Sequence, residues 1–161
     1  SELPKVIIIV VPHTSNWDFP LGVLVNSAVP ARGNYVGKHT LFVWPFGAFF
    51  RWLGGIPVDR TKKGGNFVSA TVEAFHRNDR MHLVISPEGT RSKVHQFKTG
   101  FYHIARLAGV PIQLCTFKWP EKEVYFDPEL FYPTGDEEKD LAYLWNYFKD
   151  VPGKNPEQGI S

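Results

Sequence analysis

The sequence predicts an α/β fold, a single-domain sandwich in which a mostly parallel or mixed central β-sheet is flanked by helices. Three observations lead there. Short β-branched runs alternate with longer stretches of helical periodicity along the whole chain. The 161 residues correspond to about one domain. Finally, 43% hydrophobic and 21% charged residues are ordinary globular usage, which excludes disordered, collagen-like and disulfide-scaffold chains.

The elements follow in order. Val6 to Val11, Ile56 to Val58, His82 to Ile85, Pro111 to Phe117 and Glu123 to Phe126 read as strands, because each is rich in β-branched or aromatic side chains and bounded by turn residues. Asn66 to Arg77 reads as a helix with Val68, Val72 and Phe75 on one face. A second helix runs from Gly100 to Leu107 and stops at Gly109, a residue suited to a left-handed cap. A third covers Glu137 to Lys149, with Leu141, Leu144, Trp145 and Phe148 on its apolar face. Only the tail from Pro152 to Ser161 has the composition of a linker.

Charge narrows the function classes. The net charge is only +2, too balanced for a protein that wraps nucleic acid, and no recognition motif for nucleic acid is present. Yet residues 36–106 carry 11 basic and 4 acidic side chains, against 5 and 10 in residues 107–161, so an anion belongs in the middle of the chain. The lone Cys115 excludes an intrachain disulfide and a cysteine metal cluster, and the histidines show no metal-ligand spacing, so no metal is expected. The run Val6 to Val11 is far too short to span a bilayer. The first residue is Ser rather than Met, which leaves room for an upstream segment.

In α/β sheets functional groups gather on loops leaving the carboxyl ends of strands, and three such loops carry chemistry here. In Pro12-His13-Thr14-Ser15-Asn16-Trp17-Asp18, the histidine and carboxylate would lie about 140° apart on a continuous helix, but a turn before a helix starting near Asp18 brings them together. A carboxylate on one ring nitrogen leaves the other free to take a proton, which describes a general base. The alternative is a capping box, Ser15-x-x-Asp18, with His13 as a surface residue. The second loop, Asp59 to Gly65, gathers Arg60, Lys62 and Lys63 before a helix, where a phosphate would be held, or else is a solvated turn with Arg60 paired to Asp59. The third, Pro87-Glu88-Gly89-Thr90-Arg91, exposes a carboxylate, a hydroxyl and a guanidinium that suit a polyol phosphate, or else an ion-paired turn.

Taken together, His13-x-x-x-x-Asp18, Gly55-Ile-Pro-Val-Asp59-Arg60, Pro87-Glu88-Gly89-Thr90-Arg91 and Val110-Pro111-Ile112 resemble, in that order, the four sequence blocks of the glycerolipid acyltransferases, best known from lysophosphatidic acid acyltransferases. The resemblance covers about residues 6–115, leaving a strand and helix at about 120–150 and the tail beyond it. Lys38 and Phe97-Lys98-Thr99-Gly100 look like the family's connecting segments. The chain departs from the pattern at Ser86, at Gln113 and Leu114, and in its shortness.

That resemblance implies an enzyme of phospholipid biosynthesis that moves a fatty acyl group from an acyl-CoA or acyl-carrier-protein thioester to a lysophospholipid or glycerol phosphate hydroxyl. It implies His13 as base and Asp18 as its orienting carboxylate. Arg60 and Arg91, helped by Lys38 and Lys98, would hold the acceptor phosphate, and Glu88, Gly89 and Thr90 the glycerol. No cofactor is implied beyond the thioester co-substrate. A non-catalytic lipid- or phosphate-binding module and a thioesterase-like hydrolase are the alternatives.

Amphiphilic substrates imply a peripheral protein on the cytoplasmic side of a membrane. Leu41 to Leu53, with Trp44, Phe46, Phe49, Phe50 and Trp52 between Lys38 and Arg51, suits an interfacial helix. The same aromatics could instead be core or line an acyl-chain groove.

Overall fold

The computed structural model describes residues 3–15, 17–18, 21–22, 34–38, 43, 45, 47–52, 54–58, 65–90 and 92–160, with the backbone alone at 34–38, 50, 56–58, 65–66 and 156. Its centre is one sheet of six strands: β1 Lys5–Val11, β2 Asn34–Lys38, β3 Gly55–Val58, β4 Met81–Ile85, β5 Ile112–Lys118 and β6 Glu123–Phe131. Their order across the sheet is β3-β2-β4-β1-β5-β6. The first five are parallel and β6 runs antiparallel along β5, so the sheet is mixed, as the sequence predicts.

β1 and β5 are central strands covered on both faces; β1 reads as a continuous apolar run, and β5 is buried from Ile112 to Phe117 although it includes Gln113 and Thr116. The edge strand β6 is different. It contains Pro128, which cannot donate to a ladder, and the pairing with β5 breaks between Gln113 and Cys115. The side-chain amide of Gln113 donates there to the Asp127 carbonyl. β2 was not legible in the sequence: Asn-Tyr-Val-Gly-Lys offers one β-branched residue, and its strand state comes from pairing with β3 and β4 on either side.

Four helices are described, α1 Gly47–Trp52, α2 Gly65–Arg77, α3 Gly100–Ala108 and α4 Glu137–Phe148. The two predicted apolar faces, on α2 and α4, pack into the core, and α3 packs there too. Phe75, Phe101, Ile104, Leu144 and Phe148 are buried against the sheet residues Ile7, Ile9 and Leu83. Gly109 ends α3 in the left-handed conformation, φ +64°, as a glycine cap should. α4 starts at Asp136, whose carboxylate accepts from Lys139 N–H, and its first turn is acidic, which suits the positive end of the helix dipole.

Connections from β1 and from β4 leave in opposite directions across the sheet, β1 toward β2 and β4 toward β5, although the two strands are neighbours. In parallel sheets, the carboxyl ends of neighbouring strands whose connections diverge in this way are where ligands bind. The loops that follow β1 and β4 start at that edge of the sheet, from Pro12 and from Ser86.

One buried polar knot joins α3 to α4. Asp140 is 4% exposed and accepts hydrogen bonds from Tyr102 Oη at 2.8 Å, Thr134 N at 2.7 Å and Thr134 Oγ1 at 2.9 Å. Burial opposes its charge, but these donors outweigh burial and hold the carboxyl below the usual range. Asp140→Ala strands three donors, so chemical denaturation should show a loss of roughly 2–4 kcal/mol, while Leu107→Ala, at an exposed site, should show little change.

Candidate active site

His13 and Asp18 meet. β1 ends at Val11, His13 follows within two residues, and Asp18 is helical, with Leu21 N–H donating to the Trp17 carbonyl at 3.1 Å. The intervening turn brings His13 Nδ1 to 3.2 Å from Asp18 Oδ2. The capping motif is present as well: Asp18 Oδ2 accepts Ser15 N–H at 2.7 Å, and Ser15 Oγ accepts Trp17 N–H at 3.2 Å. The two sequence readings are therefore one arrangement, in which the capping carboxylate also binds the imidazole.

Exposure divides the pair. The Asp18 side chain is 2% exposed and that of His13 28%. With Nδ1–H turned to the carboxylate, Nε2 is left as the basic nitrogen. Burial works against the Asp18 charge, but hydrogen bonds from His13, Ser15 N–H and Trp119 prevail and hold its carboxyl below the ordinary value. The Trp119 bond, Nε1–H to Oδ1, is 2.8 Å long and spans 101 residues of sequence.

Glu88 sits where the sequence alone does not place it. It is 1% exposed, and its Oε2 accepts His13 N–H at 2.6 Å and Ser86 Oγ–H at 3.3 Å. One carboxyl oxygen thus holds the main chain of the His13 loop, and the side chain is buried rather than exposed on the turn. Burial pushes it up to about 7, against the pull of the His13 hydrogen bond.

The turn around it is tight. Gly89 N–H donates to the Ser86 carbonyl at 3.2 Å, and Gly89 has φ +64°. A Cβ on Gly89 would stand 2.8 Å from Lys98 Nζ, so the Lys98 side chain lies across the turn, while Lys98 N–H donates to the Pro87 carbonyl at 2.8 Å. Thr90 is exposed and its hydroxyl accepts Ser92 N–H at 3.3 Å. Lys38 ends β2 at the same carboxyl edge of the sheet. Arg60 and Arg91, with the loop 59–64, lie outside the described residues. Among the described residues no three His, Cys, Asp or Glu side chains cluster closely enough to hold a metal ion.

Sequence reasoning missed the C-terminal contribution. Asn155 Nδ2 donates to the Thr14 carbonyl at 2.8 Å and Asn155 N–H to Thr14 Oγ1 at 3.2 Å. Lys154 Nζ stands 5.0 Å from the Trp17 ring centroid and 4.9 Å from that of Trp119. The tail with a linker's composition is packed: Gly153 is buried and Ile160, 6% exposed, bridges to Val94. Its glycine, proline and polar residues serve close approach and main-chain bonding, which composition does not distinguish from a linker.

The folded protein holds the Glu88 proton more tightly than the unfolded chain, whose carboxyl titrates near 4.5. That contribution is complete below pH 4.5 and lost as pH rises through about 7. Glu88→Gln keeps an acceptor for His13 N–H and cannot titrate. Across that window the wild type should lose roughly 3 kcal/mol of unfolding free energy relative to Glu88→Gln, read by denaturation at fixed pH values.

Comparison with known proteins identifies the family. The model of the acyltransferase family matches residues 2–118. The chain is 36% identical over 106 residues to the 1-acyl-sn-glycerol-3-phosphate acyltransferase of Salmonella typhimurium, and 35% identical over 106 residues to those of Haemophilus influenzae and Escherichia coli. Each match covers 62% of this chain and 42% of the relative, so the chain corresponds to less than half of those proteins. The matched span contains the His13–Asp18 pair, the Glu88 turn and all five parallel strands, and by it the chain belongs to the acyltransferase family.

Proposed function

We infer that the protein transfers a fatty acyl group from an acyl-CoA or acyl-carrier-protein thioester to the free hydroxyl of a lysophosphatidate-type acceptor, in phospholipid synthesis. One observation carries the reading: a part-exposed imidazole whose Nδ1 is 3.2 Å from a buried carboxylate, in the loop that leaves the carboxyl end of a central strand. The names of the relatives support the acceptor class.

The chemistry needs no acyl-enzyme. His13 Nε2 removes the acceptor hydroxyl proton as the oxygen attacks the thioester carbonyl, forming a tetrahedral intermediate. Collapse breaks the carbon–sulfur bond, and the imidazolium returns its proton to the departing thiolate. Asp18 keeps Nδ1–H oriented and stabilises the imidazolium between the two transfers. Glu88 fixes the main chain of His13, which sets where the ring stands. Arg60 and Arg91, with Lys38 and Lys98, supply positive charge for the acceptor phosphate, and Thr90 on the third loop supplies a donor for the glycerol portion.

The acceptor is an amphiphile, and the surface suits one. Val43, Phe49 and Trp52 are 59%, 54% and 80% exposed, with Arg51 exposed between the last two. These side chains are not core, which favours contact with headgroups and upper acyl chains over burial. Trp44 and Phe46 lie outside the described residues. No helix among the described residues is long and apolar enough to cross a membrane. We place the protein peripherally at the cytoplasmic face, where CoA and carrier-protein thioesters are available.

Thiol release from palmitoyl-CoA and from a palmitoyl carrier protein, with and without lysophosphatidate, tests the transfer. Release should depend on the acceptor and fall at least about a hundredfold in His13→Ala. Release without acceptor would instead make the protein a hydrolase, and binding of lysophosphatidate without release would make it a binding module. Phe49→Ser/Trp52→Ser should weaken sedimentation with phosphatidylglycerol vesicles by about tenfold or more, given roughly 1.5–3 kcal/mol for each large apolar side chain withdrawn from lipid.

A further inference from the structure

We propose that Trp119, held by the C-terminal segment, is a positioning residue for the His13–Asp18 pair, a role that rests on the general-base reading above. The two oxygens of Asp18 are held by different parts of the chain. Oδ2 takes His13 Nδ1–H and Ser15 N–H from its own loop, and Oδ1 takes the indole N–H of Trp119 from beyond β5. A carboxylate torsion is broad by itself, and a buried acceptor without a donor is costly. The indole removes both problems. It is a donor only and does not titrate, so it holds the same carboxylate orientation at every working pH.

Register explains how a residue so distant arrives. Val11, the last residue of β1, is opposite Thr116, two residues before the end of β5, so the loop after β1 starts beside the last residues of β5. Trp119 follows β5 directly, as the catalytic loop follows β1. The indole also lines a small open cavity of about 130 Å³ with the apolar Leu21, Phe117 and Val124 and the charged Lys118, Lys122 and Glu123.

The C-terminal segment fixes the indole in turn. Lys154 Nζ lies over both the Trp119 and Trp17 rings, and Asn155 holds Thr14 by two hydrogen bonds. Gly153 permits the approach, since a Cβ there would stand 2.6 Å from Thr14 Oγ1 and 3.0 Å from Pro12 Cγ. The family match ends at residue 118, so this support is added outside the matched region.

Trp119→Phe in the full chain keeps a ring and removes the donor. Steady-state kinetics with palmitoyl-CoA and lysophosphatidate should show kcat reduced about tenfold, each KM within about twofold and an unchanged circular dichroism spectrum. In an Asp18→Asn background the same substitution should cost less than about twofold, because the route from the indole to the imidazole is already broken. An unchanged kcat, or equal losses in both backgrounds, overturns the proposal. His13→Ala separates the two claims: if it is inactive while Trp119→Phe is normal, only the positioning role fails, whereas an active His13→Ala overturns both. Should Trp119→Phe unfold, Lys154→Met carries the test, with kcat down about threefold supporting the proposal and an unchanged kcat overturning it.

Discussion

Burying the Asp18 charge is the constraint on which the rest of the site depends. A carboxylate only 3% exposed costs several kcal/mol to desolvate, and it stays ionised only if enough donors converge on it. Three do: the imidazole of His13, the main chain of Ser15 and the indole of Trp119. They come from the loop after β1 and from the end of β5, and the C-terminal segment holds both. Asp18 is therefore simultaneously a helix cap, the partner of the His13 imidazole and the joint between distant parts of the chain. Removing any donor would shift its protonation and its orientation together.

The sheet makes that convergence cheap. β1 lies between β4 and β5 in parallel register, so the chemically loaded loops after β1 and β4 and the residue after β5 all emerge at one edge. Side chains at the ends of adjacent parallel strands stand about one strand spacing, ~5 Å, apart, within reach of a hydrogen bond. Glu88 to the His13 main chain and Trp119 to Asp18 are both bonds of this kind.

Much of this was legible in the sequence because its signals are local. β-branched runs gave the strands β1, β3, β4 and β5, and the Val68, Leu144 and Phe148 periodicities gave helix faces that do pack. The His13-to-Asp18 spacing and the turn at Glu88 were likewise visible. What was not visible depends on partners far along the chain. β2 is a strand through its two neighbours rather than its composition. Glu88 looked like an outward-facing ligand group because a Pro-x-Gly turn carries no information about what the turn rests against. Trp119, Lys154 and Asn155 belong to no motif, and their role exists only once β5 lies beside β1 and the tail returns across the loop.

The two buried carboxylates near His13 are driven apart in protonation, and this separation gives each one its task. Glu88 is pushed up to about 7 by burial, with the neighbouring Asp18 charge adding in the same direction, whereas hydrogen-bond donors hold Asp18 low. Two full negative charges beside one imidazole would share its favour and hold the ring between them. With Glu88 drawn toward its neutral form, the full charge next to the ring belongs to Asp18, on the Nδ1 side. Glu88 still accepts the His13 main-chain N–H when protonated, because its second oxygen can carry the proton. The loop is thus anchored by one carboxyl and the imidazole ring partnered by the other, a division set by which of the two has enough donors.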